Sequence, residues 1–401
     1  MDQAWLTASS TRAVMAALEA RGGPGCARFV GGCVRNALMG QPVDDIDIAT
    51  TLEPQETDKA IRAAGLKAVP TGIAHGTVTA VAERTPFEIT TLRRDVSTDG
   101  RNATVAFTDD WAEDAARRDF RLNALYADTD GQVFDPTGHG VRDAAEGRIV
   151  FVGEPETRIR EDYLRILRFF RFHAWYGRGE PDAAGLAACG ALASGMTRLS
   201  AERVSKELMK LLAAPDPRAA MSAMSGAGVL AQILPEATLG SAFDVMVSVD
   251  PDPVRRLLTL FPVDVRRVRE ASTRLRLPNA TRDRLVAAME AAPEVDLAMT
   301  DARARAAVYR RRKSAVLDAI ARLAAETPGR REEATRLAGI VADWTVPALP
   351  VGGADVARLG VSPGPETGRL LKAFENGWIA DDFPPEGHAE RLKALVSAAR
   401  G

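Results

Sequence analysis

Cysteine is scarce in this chain of 401 residues, and its three members, Cys26, Cys33 and Cys189, form no C-x-x-C pair. Such a sparse, odd set argues against a disulfide framework or a structural zinc site, and it is typical of a protein in a reducing cytoplasm. Long apolar runs are missing too, because none approaches the roughly 20 residues that a membrane span needs. The sequence therefore predicts a soluble, cytoplasmic protein.

An excess of charge of either sign is also lacking. The chain has 52 Lys and Arg residues against 54 Asp and Glu residues, for a formal net charge of −2 and a pI of about 6.2. Overall charge therefore gives no indication of nucleic-acid binding, and any RNA site must be a local basic patch. Only seven of the cations are Lys. The resulting Arg bias suits phosphate recognition, although a GC-rich genome explains it more simply.

Short β-branched runs bounded by turn residues cluster in roughly the first 150 residues. The predicted strands are 27–30, 45–51, 77–82, 87–92, 122–128, 132–135 and 148–152, with a four-residue hairpin turn at 83–86. Helical patterns lie between the strands. From residue 154 onward, Ala-, Leu- and Arg-rich segments of helical period are punctuated by Pro and Gly. These patterns predict an α/β head, a small mixed sheet with flanking helices, followed by an all-helical remainder.

The strongest feature of the sequence is GGCVRNALMGQPVDDIDIATT at 31–51. A predicted strand ends at Gly31-Gly32 and a helix begins at once, so glycine backbone and helix N–H groups can approach a bulky anion. Arg35 follows one turn into the helix as a charge partner for a triphosphate. Alone, Gly-Gly before a helix is a weak signal, because tight turns use it often.

Two aspartates sharpen this interpretation. Asp45 and Asp47 project from one face of a predicted strand, and neighbouring carboxylates repel each other unless a cation lies between them. Oxygen ligands near phosphate favour Mg²⁺, and two such ions about 4 Å apart would serve the attacking hydroxyl and the leaving pyrophosphate. Glu88 is the candidate third carboxylate. The alternatives are a solvated strand face carrying two acids and, for Glu88, an ordinary glutamate on an edge strand.

Gly-Gly-x-Val-Arg followed by Asp-x-Asp resembles the first motif of the class II tRNA nucleotidyltransferase and bacterial poly(A) polymerase family. Further segments resemble the later motifs of that family in order, at 113–126, 134–143, 161–172 and 198–212, and its tail segment at 351–371. The resemblance covers most of the chain and is weakest from about 240 to 350. It implies a catalytic nucleotidyltransferase head at 1–152, a helical neck with a base-recognition motif at 153–240, a helical RNA-binding body at 241–345 and a helical RNA-binding tail at 346–401.

The second motif, RRDF…NA, implies nucleotide contacts for Arg118, Asp119 and Asn123. One departure from the family is plain. The family usually has Asp after Gly-Gly-x-Val-Arg, whereas this chain has Asn36. Asn keeps a hydrogen-bond acceptor but loses the charge. We expect the change to be tolerated, because Asp45 and Asp47 downstream are intact.

The fourth motif predicts how bases are selected without a template. Asp162 and Arg165 are three residues apart on a predicted helix and are neighbours on one face. Asp accepts hydrogen bonds and Arg donates them, which matches the amino group and ring nitrogen of cytosine and adenine but mismatches guanine and uracil. A site built on hydrogen bonds rejects such mismatches by up to ~10⁴-fold. The resemblance adds Arg168 and Arg171 as nucleotide contacts. The alternative is an ordinary surface ion pair.

Between the head strands runs a polar segment, RRDVSTDGRNATVAFTD at 93–109. In the family this place holds a flexible loop that members adding only CC lack. Arg94, Asp95 and Arg101 match the pattern of that loop, which favours completion of the whole CCA end. A loop beside a site is also what a closing lid requires, and the alternative is a purely structural loop.

Two basic islands lie in the helical part. Nine Arg residues fall in 255–284 with three acids, and six cations fall in 303–313 with none. A tRNA acceptor stem is recognised mostly by shape and phosphate contacts, which Arg provides. The alternative for each island is a solvated, Arg-rich helix face.

Together these features predict Mg²⁺-dependent transfer of CMP and AMP from CTP and ATP to the 3′ end of tRNA, with no membrane and no evident protein partner. A poly(A) polymerase of the same family shares the head chemistry, but the charge is balanced and no long basic extension is present. A non-catalytic helical RNA-binding protein with a degenerate head is the other alternative. Intact Asp45 and Asp47 argue against it.

Overall fold

The computed structural model describes residues 1–72, 76–99 and 102–400. These residues form two compact units, Met1–Pro235 and Glu236–Gly401. A head built on a sheet, followed by helices, confirms the predicted fold class. Among the described residues, no helix combines the length and the apolar character needed to span a membrane.

A seven-stranded mixed sheet forms the centre of the head within the described residues. Its strands are β1 Ala27–Val30, β2 Asp47–Thr50, β3 Lys67–Gly72, β4 Thr77–Ala82, β5 Thr85–Thr91, β8 Tyr126–Ala127 and β9 Val133–Phe134. Their order is β3-β4-β5-β2-β1-β8-β9. Only β2 and β5 pair in parallel, whereas the other neighbours are antiparallel. This parallel pair places Asp47 directly opposite Glu88.

Alternating sequence explains which face of the sheet is buried. On β5, Phe87 and Ile89 are buried while Glu88 between them is exposed, as period-two side-chain placement requires.

The predicted hairpin turn before β5 is shorter than expected. Ala82 pairs with Thr85, so the turn is a two-residue one, and Glu83 and Arg84 both have positive φ angles of 49° and 68°. Such angles match the twist of the flanking strands.

Three predictions about the strands are wrong. Residues 148–152 form no strand, because Phe151 makes only an isolated bridge to Phe120; burial of its aromatic ring explains the apolar run. Strand β2 begins at Asp47, so Asp45 lies just before it. The segment predicted as a loop contains two strands, β6 Arg93–Asp99 and β7 Asn102–Phe107, which pair with each other in a separate two-stranded sheet. Neither strand pairs with the main sheet, so the hairpin keeps polar side chains and lacks the alternating apolar pattern by which a strand is recognised in a sequence.

Helices of the first unit surround the sheet and continue beyond it. They are α1 Ala4–Thr7, α2 Ser9–Gly22, α3 Gly32–Leu38, α4 Pro54–Ala63, α5 Trp111–Ala116, α6 Gly140–Glu146, α7 Pro155–Glu161, α8 Leu164–Tyr176, α9 Ala183–Ala191, α10 Ala201–Leu212, α11 Arg218–Gly226 and α12 Val229–Ile233. Helix α8 packs on α10 and α11. Its buried Phe169 and Phe172 also reach Phe120 of the head, so the neck helices share an aromatic core with the sheet domain.

The second unit is helical throughout its described residues. Its helices are α13 Ser241–Val249, α14 Pro253–Leu258, α15 Val265–Arg274, α16 Asn279–Ala291, α17 Asp301–Arg310, α18 Lys313–Glu326, α19 Arg331–Asp343, α20 Gly353–Arg358, α21 Pro365–Ala380 and α22 His388–Arg400. One apolar cluster joins α16, α17, α18 and α19. A second joins α20, α21 and α22, with Tyr309 of α17 against it.

Candidate active site

The turn from β1 into α3 has the geometry that the Gly-Gly motif predicts. Gly31 has φ 71° and ψ −118° and caps α3, a conformation that side chains rarely adopt. A Cβ atom at Gly31 would lie 3.5 Å from Arg118 Nη1. That distance is an ordinary van der Waals contact, so the positive φ angle rather than lack of space favours glycine here, and the guanidinium of Arg118 lies beside the turn.

Three carboxylates lie near this turn. Asp47, at the start of β2, is partly buried, and Glu88 and Asp45 are exposed. Burial raises the pKa of Asp47 to about 6, and the charges of Glu88 and Asp45 add to the effect while Arg118 opposes it. None of the three carboxylates has an ion-pair partner among the described residues. Among the described residues, only the longer-range charge of Arg118 therefore offsets the negative charge on Asp47.

This charge fits a divalent cation, with one restriction. Within the described residues, no three His, Cys, Asp or Glu side chains are grouped closely enough to hold a metal ion by themselves. Glu88 therefore does not complete a ready ligand set with the two aspartates. Mg²⁺ does not need such a set, since it is usually bound by one or two carboxylates together with substrate phosphates and water.

Arg35 has a different environment from the one expected. Its buried guanidinium donates to Asn123 Oδ1 at 2.6 Å, to Asn36 Oδ1 at 2.7 Å and to the Tyr176 hydroxyl at 2.9 Å. The Tyr176 ring lies 4.0 Å from the guanidinium carbon. Asn36 in turn donates to the carbonyl oxygen of Pro42 at 2.7 Å. Arg35 thus connects α3 to the neck helix α8, and the amide of Asn36 holds the segment that leads to β2.

Asp114 is a buried residue beside the candidate site that the sequence analysis did not single out. It is buried and receives hydrogen bonds from Arg117 at 2.8 Å, Arg118 Nη2 at 3.0 Å and the Tyr126 hydroxyl at 2.7 Å. Burial opposes its ionisation, but Arg118 and Arg117 outweigh burial and lower its pKa to about 2. Asp114 also accepts from the backbone N–H of Arg93 at 3.3 Å, where the β6–β7 hairpin begins. The helical i+3 and i+4 spacing of the two arginines was the available signal.

Asp119 and Asn123 form part of the same internal network. The Asp119 carboxylate accepts from Asn123 Nδ2 at 3.0 Å and from Arg168 Nε at 2.7 Å. Burial alone would raise the pKa of Asp119, but Arg168 and Asn123 hold it below its ordinary value. Arg35, Asn123, Asp119 and Arg168 therefore form a continuous chain from the β1–α3 turn to the neck.

The prediction that Asp162 and Arg165 lie on one helix is wrong. Helix α7 ends at Glu161, Asp162 is extended, and α8 begins at Leu164. The Asp162 carboxylate accepts from the Leu164 N–H at 3.1 Å and from Arg203 of α10 at 2.7 Å. Asp162 thus accepts from the first N–H groups of α8, with its carboxylate at Leu164 and its carbonyl oxygen at Arg165. These local hydrogen bonds start a new helix and interrupt the helical periodicity that the sequence suggested.

Arg165 and Arg171 also have carboxylate partners that the sequence did not reveal. Arg165 pairs with Glu161 and donates to the carbonyl oxygen of Arg117 at 3.0 Å. Arg171 pairs with Glu207 at 2.5 Å. Asp162 and Arg165 are thus not paired with each other, and each has a separate supporting group.

The residues predicted for the flexible loop are described only in part. Arg94 is exposed and lies 3.9 Å from Glu113. Asp95 belongs to β6, but its side chain lies outside what the structure describes, and Arg101 is outside the described residues altogether. The hairpin base is held by Thr108, which donates to Glu113 at 2.6 Å.

The first basic island proves largely neutralised. Its arginines pair with acids from elsewhere in the second unit, including Arg274 with Glu236 at 2.6 Å and Arg255 with Asp318 at 2.8 Å. Arg256 is buried and donates to the carbonyl oxygen of Asp250 at 2.9 Å. Counting acids along the sequence missed these distant partners. In the second island, Arg303, Arg310 and Arg312 are exposed, and no ion-pair partner is found for them among the described residues.

Comparison with known proteins identifies the family. Residues 27–150 match the family described as "Poly A polymerase head domain", and residues 181–239 match "Probable RNA and SrmB- binding site of polymerase A". The human protein named "CCA tRNA nucleotidyltransferase 1, mitochondrial" is 36% identical over 375 residues, which cover 90% of this chain and 84% of that protein. The chain belongs to the CCA tRNA nucleotidyltransferase family. This confirms the resemblance that the motifs indicated.

Two further members of the CCA tRNA nucleotidyltransferase family support the assignment. A CCA-adding enzyme of Streptococcus pyogenes is 42% identical over 200 residues, which cover 49% of this chain and 48% of that protein. The crystal structure of the Bacillus stearothermophilus CCA-adding enzyme in complex with CTP superposes with a TM-score of 0.76 at 26% identity, covering 98% of this chain and 97% of the other. The similarity thus extends over both compact units.

Proposed function

We propose that this protein adds CCA to the 3′ ends of tRNA, transferring CMP and AMP from CTP and ATP and releasing pyrophosphate. The observation that carries the proposal is the pair Asp45 and Asp47 beside the Gly31–Gly32 turn, neither of which has an ion-pair partner among the described residues. Membership of the CCA tRNA nucleotidyltransferase family supports the choice of RNA and nucleotides. The cytoplasmic location stays a prediction from the cysteine content.

Asp45 and Asp47 would hold Mg²⁺, with Glu88 as the candidate third ligand. When bound, the ion supplies positive charge for the triphosphate and favours ionisation of the attacking hydroxyl. The raised pKa of Asp47 and the absence of an ion-pair partner in the described residues support this assignment. Substrate phosphates would complete the coordination, because the side chains in the described part of the chain are too few to hold the ion by themselves.

The remaining residues would seat the nucleotide. The backbone N–H group of Gly32, with Arg118 beside the turn, would receive the triphosphate, whereas the N–H of Gly31 donates to the carbonyl oxygen of Leu125 at 3.2 Å. The RNA 3′-oxygen attacks the α-phosphorus, the bond to the bridging oxygen breaks, and pyrophosphate leaves. The hydrogen-bonded residues Arg35, Asn123, Asp119 and Arg168 would hold this turn in position without contacting the nucleotide themselves, since their polar atoms bond mainly to one another.

Base selection would rest on Asp162 and Arg165 as an acceptor and a donor. Arg203 orients the Asp162 carboxylate, and Glu161 orients the Arg165 guanidinium. Each of the two base-contacting side chains thus has an ion-pair partner that limits its rotation. Fixed hydrogen-bonding groups reject bases with the reversed pattern. Arg168 and Arg171 are further candidate contacts, and Arg94, Asp95 and Arg101 would act from the hairpin.

The test is direct. Purified protein is incubated with Mg²⁺, all four NTPs and a tRNA transcript that lacks its last three nucleotides, and the 3′ ends are sequenced. We expect CCA on the wild type, no addition by Asp45→Ala, and normal addition by Asp44→Ala, which removes the same charge from an exposed neighbour. Long A tracts on unrelated RNA would favour the poly(A) polymerase, and no extension of any RNA would favour the non-catalytic alternative.

Arg203→Met is expected to relax base selection. It removes the charged partner of Asp162 at 2.7 Å, and a hydrogen bond to a charged group contributes about 1.5–3 kcal/mol. We expect kcat/KM for CTP and ATP to fall by about 10- to 100-fold, and that for GTP and UTP to fall less, because they do not use the acceptor. The measurement is single-nucleotide addition with each NTP.

A matched control separates base selection from folding. Lys206→Met changes an exposed cation on the same helix, α10, and should leave all four values unchanged. Arg203→Lys keeps a charged donor and should restore part of the discrimination. Equal loss for all four nucleotides with Arg203→Met would mean that Arg203 serves only the fold.

A further inference from the structure

Asn36 connects the buried Arg35 guanidinium to the segment 41–46, which carries Asp45. The side-chain oxygen of Asn36 accepts from Arg35 Nε at 3.1 Å and from Arg35 Nη2 at 2.7 Å. Its side-chain nitrogen donates to the carbonyl oxygen of Pro42 at 2.7 Å. A guanidinium only donates hydrogen bonds and a carbonyl oxygen only accepts them. Asn36 therefore needs an acceptor for one neighbour and a donor for the other, and an amide provides both.

The segment 41–46 has few other hydrogen bonds to hold it. Helix α3 ends at Leu38 and β2 begins at Asp47, so the segment belongs to no helix or strand. Its first residue donates a backbone hydrogen bond to the Asn36 carbonyl oxygen at 2.8 Å. In the described part of the chain, no backbone hydrogen bond is found for residues 43–45. The contact between Asn36 and Pro42 is thus the last hydrogen bond found before Asp45.

We propose that Asn36 is a positioning residue for the metal site, because its hydrogen bond to Pro42 holds the segment 41–46 and with it the Asp45 carboxylate. The inference rests on the proposed function, in which Asp45 and Asp47 hold Mg²⁺. Asp47 is held by the pairing of β2 with β5, whereas Asp45 precedes the strand. Ordering a free segment costs conformational entropy when a ligand binds. Asn36 lowers that cost for the cation.

A carboxylate in place of the Asn36 amide would act in opposite ways on its two neighbours. The present hydrogen-bond acceptors of the Arg35 guanidinium are the Asn36 and Asn123 amides and the Tyr176 hydroxyl, all of them neutral. Beside Arg35 the new carboxylate would stay ionised, and a charge-assisted hydrogen bond is roughly twice as strong as a neutral one. An ionised carboxylate cannot donate, so its second oxygen would face the Pro42 carbonyl oxygen, another acceptor. Asn36→Asp should therefore strengthen the contact to Arg35 and release Pro42.

This opposition separates positioning of the metal site from stability of the fold. Mn²⁺ binding is measured by electron paramagnetic resonance with CTP present and RNA absent, so that no turnover occurs. We expect Asn36→Asp to bind Mn²⁺ about five- to tenfold more weakly, as the loss of one hydrogen bond gives. The added negative charge by itself would tighten binding of a cation. The melting temperature in EDTA should not fall, because Arg35 gains a charged partner.

The dependence of activity on Mg²⁺ gives a second readout. The Mg²⁺ concentration for half-maximal CMP addition by Asn36→Asp should rise by the same factor as the Mn²⁺ dissociation constant. At saturating Mg²⁺, kcat should stay within about twofold of the wild type, because excess cation holds Asp45 in place. A residue that served only the fold would lower activity at every Mg²⁺ concentration.

Two control variants test the separate contributions. Asn36→Ala removes both contacts, so it should weaken Mn²⁺ binding as Asn36→Asp does. It should also lower the melting temperature in EDTA by about 4 °C or more, because Arg35 loses an acceptor. Gln41→Glu makes the same change from amide to carboxylate at an exposed residue of the same segment. It should leave Mn²⁺ binding and the melting temperature unchanged.

Unchanged Mn²⁺ binding in Asn36→Asp would overturn the proposal. Equal weakening in Gln41→Glu would also overturn it, because charge alone would then explain the effect. A melting temperature that falls as far in Asn36→Asp as in Asn36→Ala would assign Asn36 to the fold. If the wild type binds no more Mn²⁺ than Asp45→Ala does, the proposed metal site is itself wrong and the inference fails with it. If only the wild type and Asn36→Asp bind alike, the metal site stands and the inference alone is wrong.

Discussion

Asp47→Asn should abolish nucleotide addition and at the same time stabilise the metal-free protein. We expect kcat/KM to fall by about a thousandfold, as loss of several kcal/mol of charge stabilisation in the transition state would give. Burial, Glu88 and Asp45 raise the pKa of Asp47 from 3.8 to about 6. Holding this carboxylate ionised therefore costs about 3 kcal/mol of folding free energy at neutral pH, and the neutral amide removes that cost.

The sign of the effect gives its pH window. A folded-state pKa above the unfolded one makes ionised Asp47 destabilising above pH about 6, and the cost disappears below about pH 4, where the group is protonated in both states. The gain in thermal stability of Asp47→Asn over the wild type, measured in EDTA, should therefore vanish on acidification. Mg²⁺ should raise the melting temperature of the wild type and not that of the variant.

Activity of the wild type should follow the same ionisation. At low Mg²⁺ we expect kcat/KM to rise with pH through about 6, and higher Mg²⁺ should move the midpoint to lower pH, because the cation competes with the proton for Asp47. Asp44→Asn is the matched control and should change neither activity nor stability. Retained activity in Asp47→Asn would mean that this carboxylate is not a metal ligand.

Asp318→Ala is expected to cause the largest loss of stability in the second unit. Asp318 is 1% exposed and accepts from Arg255 Nε at 2.8 Å and Arg284 Nε at 2.7 Å. The three residues lie on α18, α14 and α16, so the carboxylate joins three helices. Removing this carboxylate deletes hydrogen bonds to charged groups, each worth about 1.5–3 kcal/mol. Because Arg255 keeps Asp250 and Arg284 keeps Asp252 as partners, we expect a net loss of about 2–3 kcal/mol.

Hydrogen exchange is the appropriate measurement, because a protein with two compact units need not unfold in one step. Protection should fall in α14, α16 and α18 of the Asp318→Ala variant and remain unchanged in the head. Asp283→Ala, at an exposed pair on the surface, should alter protection by no more than about 0.5 kcal/mol. A loss in Asp318→Ala no larger than in this control would show that the buried pairs contribute little.

Local sequence determined much of the head. The run before Gly31 is a strand and the residues after it are a helix, as the turn chemistry requires. Alternation placed Glu88 on the exposed face of β5, although only the parallel pairing of β2 with β5 brought it opposite Asp47. Periodicity and turn chemistry depend on residues that are close along the chain, and the sequence shows those residues directly.

Tertiary structure decided which charges are neutralised and which remain free. Asp162 pairs with Arg203, 41 residues away, and Arg255 pairs with Asp318, 63 residues away. Ion pairs of this kind depend on how helices pack, so the first basic island seemed free when only neighbours along the chain were counted. The sequence alone determined the carboxylates and the glycine turn of the head. Packing alone decided that Arg310 and Arg312 stay exposed while the arginines around them acquire partners, because a charge is neutralised by its neighbours in space.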